Sequence, residues 1–226
     1  MTIVSWNCNR SFRKKYQRLL ELDADLCIIQ ECEPLDKITG DLKAIIANGI
    51  WEKRRKQNGL LVFAKPGISL RHMDWDSYGM GVYLPVLVND TLPLVCVWAQ
   101  ARGYIEEFYV WYRVHQKHIT DEFVLFGDFN SNHLFDERHD DRSHSIVVDM
   151  LEKDGLQSAY HTCTGEKQGE ESIPTYYMYR KLEKGYHIDH CFVRPDRIQS
   201  YQILDTSWLE SSDHIPIVLE LHTESE

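Results

Sequence analysis

The stretch Phe123-Val124-Leu125-Phe126-Gly127-Asp128-Phe129-Asn130 decides how this chain is read. Four apolar residues make a short buried strand, and they stop at a glycine followed by an acid and an amide two positions apart. A strand that ends on Asp-x-Asn sets polar side chains at the rim of a rigid sheet, where they can be aimed at one ligand. Working outward, the pattern recurs. Ile3–Trp6 runs into Ser5-Trp6-Asn7-Cys8-Asn9, and Leu26–Gln30 runs into Ile29-Gln30-Glu31. Ile188-Asp189-His190 lies within the run His187–Val193, and Ser212-Asp213-His214 precedes Ile215–Leu221.

Three more apolar runs, Leu60–Ala64, Val82–Val88 and Leu92–Trp98, complete the strand pattern. Asn58-Gly59, Pro66-Gly67 and Asn89-Asp90 punctuate it, the last pair reading as a hairpin turn. Helical spacing appears in Phe12–Leu22 (Phe12, Tyr16, Leu19, Leu20) and Tyr104–Ile119 (Phe108, Trp111, His115). It appears again in Ser145–Lys153, which Gly155 closes, and more faintly in Lys37–Ala47. Strands and helices alternate first, then strands cluster, with no repeat or linker. The expectation is one α/β domain spanning residues 1–226.

Composition bounds the function. Hydrophobic residues are 43% and charged residues 27% of the 226, the balance of a globular protein. No apolar stretch approaches a membrane span, and Met1-Thr2-Ile3-Val4-Ser5-Trp6 does not resemble a secretion signal, so a cytoplasmic monomer is expected. Cys27, Cys96 and Cys191 sit inside apolar runs and no C-x-x-C occurs, which favours reduced thiols over a zinc site. A formal charge of −10 excludes broad, non-specific coating of nucleic acid, though not a local basic patch.

Each polar strand end has an ordinary explanation alone: an Asx turn, a surface ion pair, a helix cap. Together they need something else. Glu31, Asp128, Asp189 and Asp213 gathered within about 8 Å would repel by about 2 kcal/mol per pair at an effective dielectric of about 20. A divalent cation removes that cost. Oxygen donors without a Cys or paired-His motif select Mg²⁺ or Mn²⁺, and such a site hydrolyses phosphate esters.

In this order, W-N, Q-E, G-D-x-N, I-D-H and S-D-H resemble the motifs of the endonuclease/exonuclease/phosphatase superfamily, from Ser5 to Pro216. The resemblance implies a four-layer α/β/β/α sandwich of two mixed sheets faced by helices. It implies Glu31 as the main metal ligand, helped by Asn7, Asn9 and Asp213. It makes Asp128 the group that orients or deprotonates water, with Asn130 on the phosphate. Asp213 and His214 would act as a pair on the scissile phosphate, and Asp189 would support that histidine or a metal. Two departures stand out: Val97-Trp98-Ala99-Gln100 replaces the family's Thr-His-Leu or Tyr-Val-Pro-Asn, and Asn9 stands where abasic endonucleases carry Asp.

Candidate substrate contacts are Asn7, Asn130, Gln100, Trp98, Arg102, Arg142 and His144. Lys53-Arg54-Arg55-Lys56, in an expected hairpin loop, and the segment Arg138-His139 through Arg142-Ser143-His144 are candidate phosphate grips. Tyr176-Tyr177-Met178-Tyr179 reads as a strand with one aromatic face in the core or as a stacking platform. The leading expectation is a Mg²⁺- or Mn²⁺-dependent nuclease acting on DNA, exonuclease III-like. A small-molecule or lipid phosphatase, and an inactive interaction module on the same fold, are the competing readings.

Overall fold

The computed structural model describes residues 1–55, 57–100 and 103–222. Lys56 and Arg102 lie outside the described residues. In chain order the strands are β1 (Thr2–Asn7), β2 (Leu26–Cys32), β3 (Ile50–Arg55), β4 (Asn58–Ala64), β5 (Leu70–His72), β6 (Val82–Val88) and β7 (Leu92–Trp98). They continue as β8 (Val124–Asp128), β9 (Gln157–Ser158), β10 (Tyr176–Tyr177), β11 (Gly185–Tyr186), β12 (Asp189–Val193), β13 (Ile198–Ile203) and β14 (Ile217–Leu221). Two six-stranded mixed sheets result, in the orders β13-β14-β1-β2-β4-β3 and β5-β6-β7-β8-β12-β9, beside the small β10-β11 ribbon.

The period-two alternation of each strand feeds two apolar layers at once. Ile3, Ile28, Val62, Leu84, Cys96, Trp98 and Phe126 meet between the sheets. Their neighbours Val4, Trp6, Cys27, Ile29 and Phe63 pack outward under α1 (Tyr16–Leu20) and α2 (Asp41–Ile45). On the other sheet Val95, Val97 and Leu125 pack under α3 (Tyr104–His115) and α4 (His144–Lys153). Burial on both faces explains why these strands read as continuous apolar runs. The architecture is the expected four-layer sandwich.

Trp98 alternates in phase with Leu92, Leu94 and Cys96 along β7, so it belongs to the inter-sheet layer and has no exposed surface. It cannot stack on a substrate. Val97, facing the other way, is approached so closely by β8 that a Cβ at Gly127 would lie 2.0 Å from its carbonyl oxygen. With φ at 151°, Gly127 is the residue that lets β8 deliver Asp128 beside β7.

Several elements differ from expectation. The strands of the two large sheets that hydrophobic runs do not reveal, β3, β5, β9 and β13, are their four edge strands, where polar and charged residues are normal. Thus Lys53 lies in β3 opposite Gly59 rather than in a hairpin loop. Asn89-Asp90 does form the β6–β7 hairpin, both residues taking positive φ. The expected helix Phe12–Leu22 breaks at Lys15, whose ammonium turns back to the Cys8 and Asn9 carbonyls, leaving a 3-10 turn and α1. Only Asp41–Ile45 of Lys37–Ala47 is α-helical, because Gly40 enters it at a positive φ. The tyrosine run divides: Tyr176 and Tyr177 form β10, and Tyr179 is 76% exposed. All six cysteines are free thiols, and Cys163 alone is exposed. No helix among the described residues is long and apolar enough to cross a membrane.

Candidate active site

Register assembles the site. Parallel pairing sets Asn7 beside Gln30 and Trp98 beside Asp128, and antiparallel pairing sets Asp128 opposite Asp189. Gln30 ties the sheets together, its Nε2 donating to Ser5 Oγ (2.9 Å) and to Val97 O on β7 (3.3 Å). Side by side across a ladder, two carboxylates repel unless a donor intervenes.

Several intervene. Asp128 Oδ2 accepts from Asn7 Nδ2 (2.9 Å) and Asn130 Nδ2 (3.1 Å), and its Oδ1 accepts from the Asn130 N–H (2.9 Å). Asn130 also donates to Ala99 O at 2.9 Å. Burial, and then the neighbouring Asp189 charge, push the Asp128 carboxyl up to about 7. Asp189 Oδ2 accepts from Thr175 Oγ1 (2.7 Å) and from His214 Nδ1 (2.9 Å). Burial alone would depress the His214 imidazole, but the charge and hydrogen bond of Asp189, backed by Asp128 and Asp213, raise it to about 10. Potential ligand atoms of Asp128, Asp189 and His214 all lie within 4.8 Å of one another, close enough to hold a metal ion.

Adjacency points to Asp213 as the partner of His214; the structure gives that place to Asp189 instead. Asp213 lies on the bend that leads into His214, and its carboxylate turns to Asn9. Its Oδ1 accepts from Asn9 Nδ2 at 2.9 Å. The turn is pinned by Ser212 Oγ, which donates to Asn7 O (2.7 Å), and by the Trp6 indole, which donates to His214 O (3.1 Å). Glu31, at a positive φ and half-buried, stands at the same corner, 3.6 Å from Arg10 Nε.

With this geometry in hand, the sequence can be set against known proteins. The model of the Endonuclease/Exonuclease/phosphatase family matches residues 4–214. The chain belongs to that family. No curated protein matches it significantly. Among solved structures, a 3′-5′ exonuclease (NExo) from Neisseria meningitidis superposes with a TM-score of 0.69 at 19% identity, covering 99% of this chain and 100% of that one. A structure of the 3′ phosphatase NExo from Neisseria bound to a product DNA hairpin gives 0.70 at 19%, with 99% and 100% covered. An AP endonuclease from Archaeoglobus fulgidus gives 0.70 at 15%, again with 99% and 100% covered. At these identities the likeness to individual structures is one of fold.

Within this endonuclease/exonuclease/phosphatase domain, Asn7, Asn9, Asp128, Asn130, Asp189, Asp213 and His214 converge, with Glu31 beside them. Gln100 is half-buried and follows the Ala99 carbonyl that anchors Asn130. Arg142 is exposed beside Asp141 (3.9 Å) on a 3-10 turn, away from the hydrogen-bonded group. Arg102 falls outside the described residues. Tyr176, the first residue of the tyrosine run, has its ring centroid 4.7 Å from that of His214, whereas Thr175 was not singled out in sequence. No sequence signal marks Thr175, because its partner Asp189 is 14 residues away.

His144 is not a substrate contact. It is buried behind the site, its Nδ1 3.2 Å from Ser131 Oγ and its Nε2 3.3 Å from Gln168 Oε1, with its ring against His190. The cause is helical phase: the N-terminal turn of α4 faces Ser131 rather than the cleft. Burial lowers the His144 imidazole to about 4, and lowers His187 and His190 as well. A folded-state value below the unfolded one means the unfolded chain takes up protons first. The stability contributed by these neutral imidazoles is therefore full above about 6.5 and is lost as pH drops toward about 4, about 3 kcal/mol of it at His144, while the raised Asp128 carboxyl acts in the opposite sense over the same range. The difference between wild type and His144→Asn in thermal melts from pH 7 to pH 4.5 should show it, the variant losing less stability as pH falls; an equal change in both would refute this assignment.

Proposed function

We propose that the chain is a divalent-metal-dependent phosphodiesterase acting on DNA, a nuclease of the exonuclease III type. The observation that carries this reading is the buried Asp189–His214 pair set beside Asp128 and Asn130, facing an oxygen-only corner of Glu31, Asn9 and Asp213. That donor set suits Mg²⁺ or Mn²⁺. Asp128, Asp189 and His214 are the tighter cluster, but an imidazole that Asp189 keeps charged has no lone pair to offer a cation. Glu31, Asp213 and the side-chain oxygen of Asn9 are therefore the preferred ligands. When bound, the ion supplies charge that polarises a phosphoryl oxygen.

The chain's own groups do the rest. Asp128, with a carboxyl titrating near neutrality, orients a water and takes its proton. Asn7 serves as a positioning residue: its Nδ2 holds Asp128 and its Oδ1 accepts the Asn9 N–H at 3.0 Å, which engages both ends of the amide. Asn130 sits at φ 51° with both amide N–H groups committed to Ala99 and Asp128, and so steadies the Asp128 carboxylate. His214, kept charged by Asp189, points its remaining N–H at a non-bridging oxygen and stabilises the charge that grows there. Neighbouring folds whose descriptions name exonuclease, AP endonuclease and a DNA hairpin product support DNA as the substrate.

A panel of single-stranded, double-stranded, abasic and 3′-blocked oligonucleotides, assayed with Mg²⁺ or Mn²⁺ beside an inositol phosphate, tests the reading. Cleavage of at least one DNA substrate well above the inositol phosphate is expected. Turnover of the inositol phosphate alone would move the protein to the small-molecule phosphatases.

A further inference from the structure

The Asp213 corner is ringed by cations that none of the motifs contains. Arg10 is exposed beside Glu31. Arg180, on the turn after β10, is exposed too, and its Nη1 and Nη2 donate to the carbonyls of Glu210 (3.1 Å) and Ser211 (3.5 Å), which lead into Ser212-Asp213. Lys15 stands between them, donating to Cys8 O (2.6 Å) and Asn9 O (3.3 Å), close enough to Arg180 and Asp213 to sense both charges. Lys15 spends most of its donors on the backbone. The two arginines keep donors at the surface.

Their backbones are costly. Arg10 and Arg180 have φ of 66° and 58°, where glycine would be relaxed. Asn9 and Ser11 share that conformation, and the whole turn is over-determined by its neighbours. Lys15 holds one end; Glu33 holds the other, accepting from the N–H groups of Phe12 (2.6 Å) and Arg13 (3.0 Å). In a chain of net charge −10, cations gathered at one corner leave an electropositive rim. Arg180 has no carboxylate partner among the described residues. Next to it the exposed Tyr179 ring lies under the Lys184 ammonium at 5.7 Å.

We propose that Arg10 and Arg180 form a phosphate-binding rim on the Asp213 side of the site, gripping the backbone of a nucleic-acid strand beside the scissile bond. The proposal rests on the nuclease reading above. A planar guanidinium matches a phosphodiester with two parallel hydrogen bonds, and arginines anchored at their base lose little freedom in doing so.

The test is the affinity of a fluorescein-labelled single-stranded oligodeoxynucleotide, measured by anisotropy in EDTA over a salt series, so that nothing is cleaved. Arg10→Gly with Arg180→Gly should weaken binding by about tenfold at low salt and reduce the log–log salt slope by about 1.4, the value for two lost phosphate contacts. Glycine suits both backbones, so the melting temperature should hold or rise. A lysine pair at the same positions keeps the charge and should restore the slope, which a folding defect would not allow. A control pair, Lys43→Ala with Lys117→Ala, should leave the slope alone. An unchanged slope in the glycine pair, or an equal loss in the control, overturns the rim while the nuclease reading stands. A wild type that binds no oligonucleotide removes both.

Discussion

Replacing His214 with alanine is expected to slow phosphodiester cleavage by about a thousandfold, the scale of a positioned acid–base or charge-stabilising group. Asp189→Asn should cost nearly as much, because the amide no longer holds the imidazole charged. The double variant should be little worse than His214→Ala alone, since the two side chains act as one unit. Asp213→Asn combined with His214→Ala should instead multiply the separate losses, because Asp213 faces Asn9 and not the histidine. Additive losses for 189 with 214, or coupling between 213 and 214, would reverse this assignment. Thermal melts must accompany the rates. The pair is buried, with side chains 6% and 3% exposed, so removing the histidine alone leaves an uncompensated charge worth about 3 kcal/mol or more of stability.

Metal removal should have the other large effect. EDTA is expected to reduce cleavage by at least about a thousandfold, and Mg²⁺ or Mn²⁺ to restore it, because the carboxylates at the strand ends need a counter-charge to act on a phosphate. Glu31→Ala should prevent that recovery at ordinary metal concentrations. A second readout does not depend on turnover. Mn²⁺ at about 100 times its dissociation constant should stabilise the wild type by about 2.7 kcal/mol, and Glu31→Ala should abolish the gain. Full activity in metal-stripped enzyme would end the mechanism. An undiminished Mn²⁺ stabilisation in Glu31→Ala would move the ion to the Asp128, Asp189 and His214 cluster.

The sequence alone determined the parts that depend on local chemistry. Gly-Asp-Phe-Asn at 127–130, Gln30-Glu31 and Ser212-Asp213-His214 were legible because a strand that stops on a polar residue is visible as a break in an apolar run. The layered core was legible for the same reason: strands buried on both faces, such as β6 and β7, must be apolar throughout. Edge strands were not, because β3, β5 and β13 bury little and carry charges like any loop. Only the tertiary structure decided who pairs with whom. Asp213 and His214 are neighbours in sequence but have different partners, and the carboxylate that reaches His214 comes from β12, brought in by the antiparallel register with β8. The same folding buried Trp98 and His144, which sequence had offered to a substrate, because strand parity and helical phase turn them inward. It also carried Arg10 and Arg180, 170 positions apart and outside every motif, to the same corner of the site.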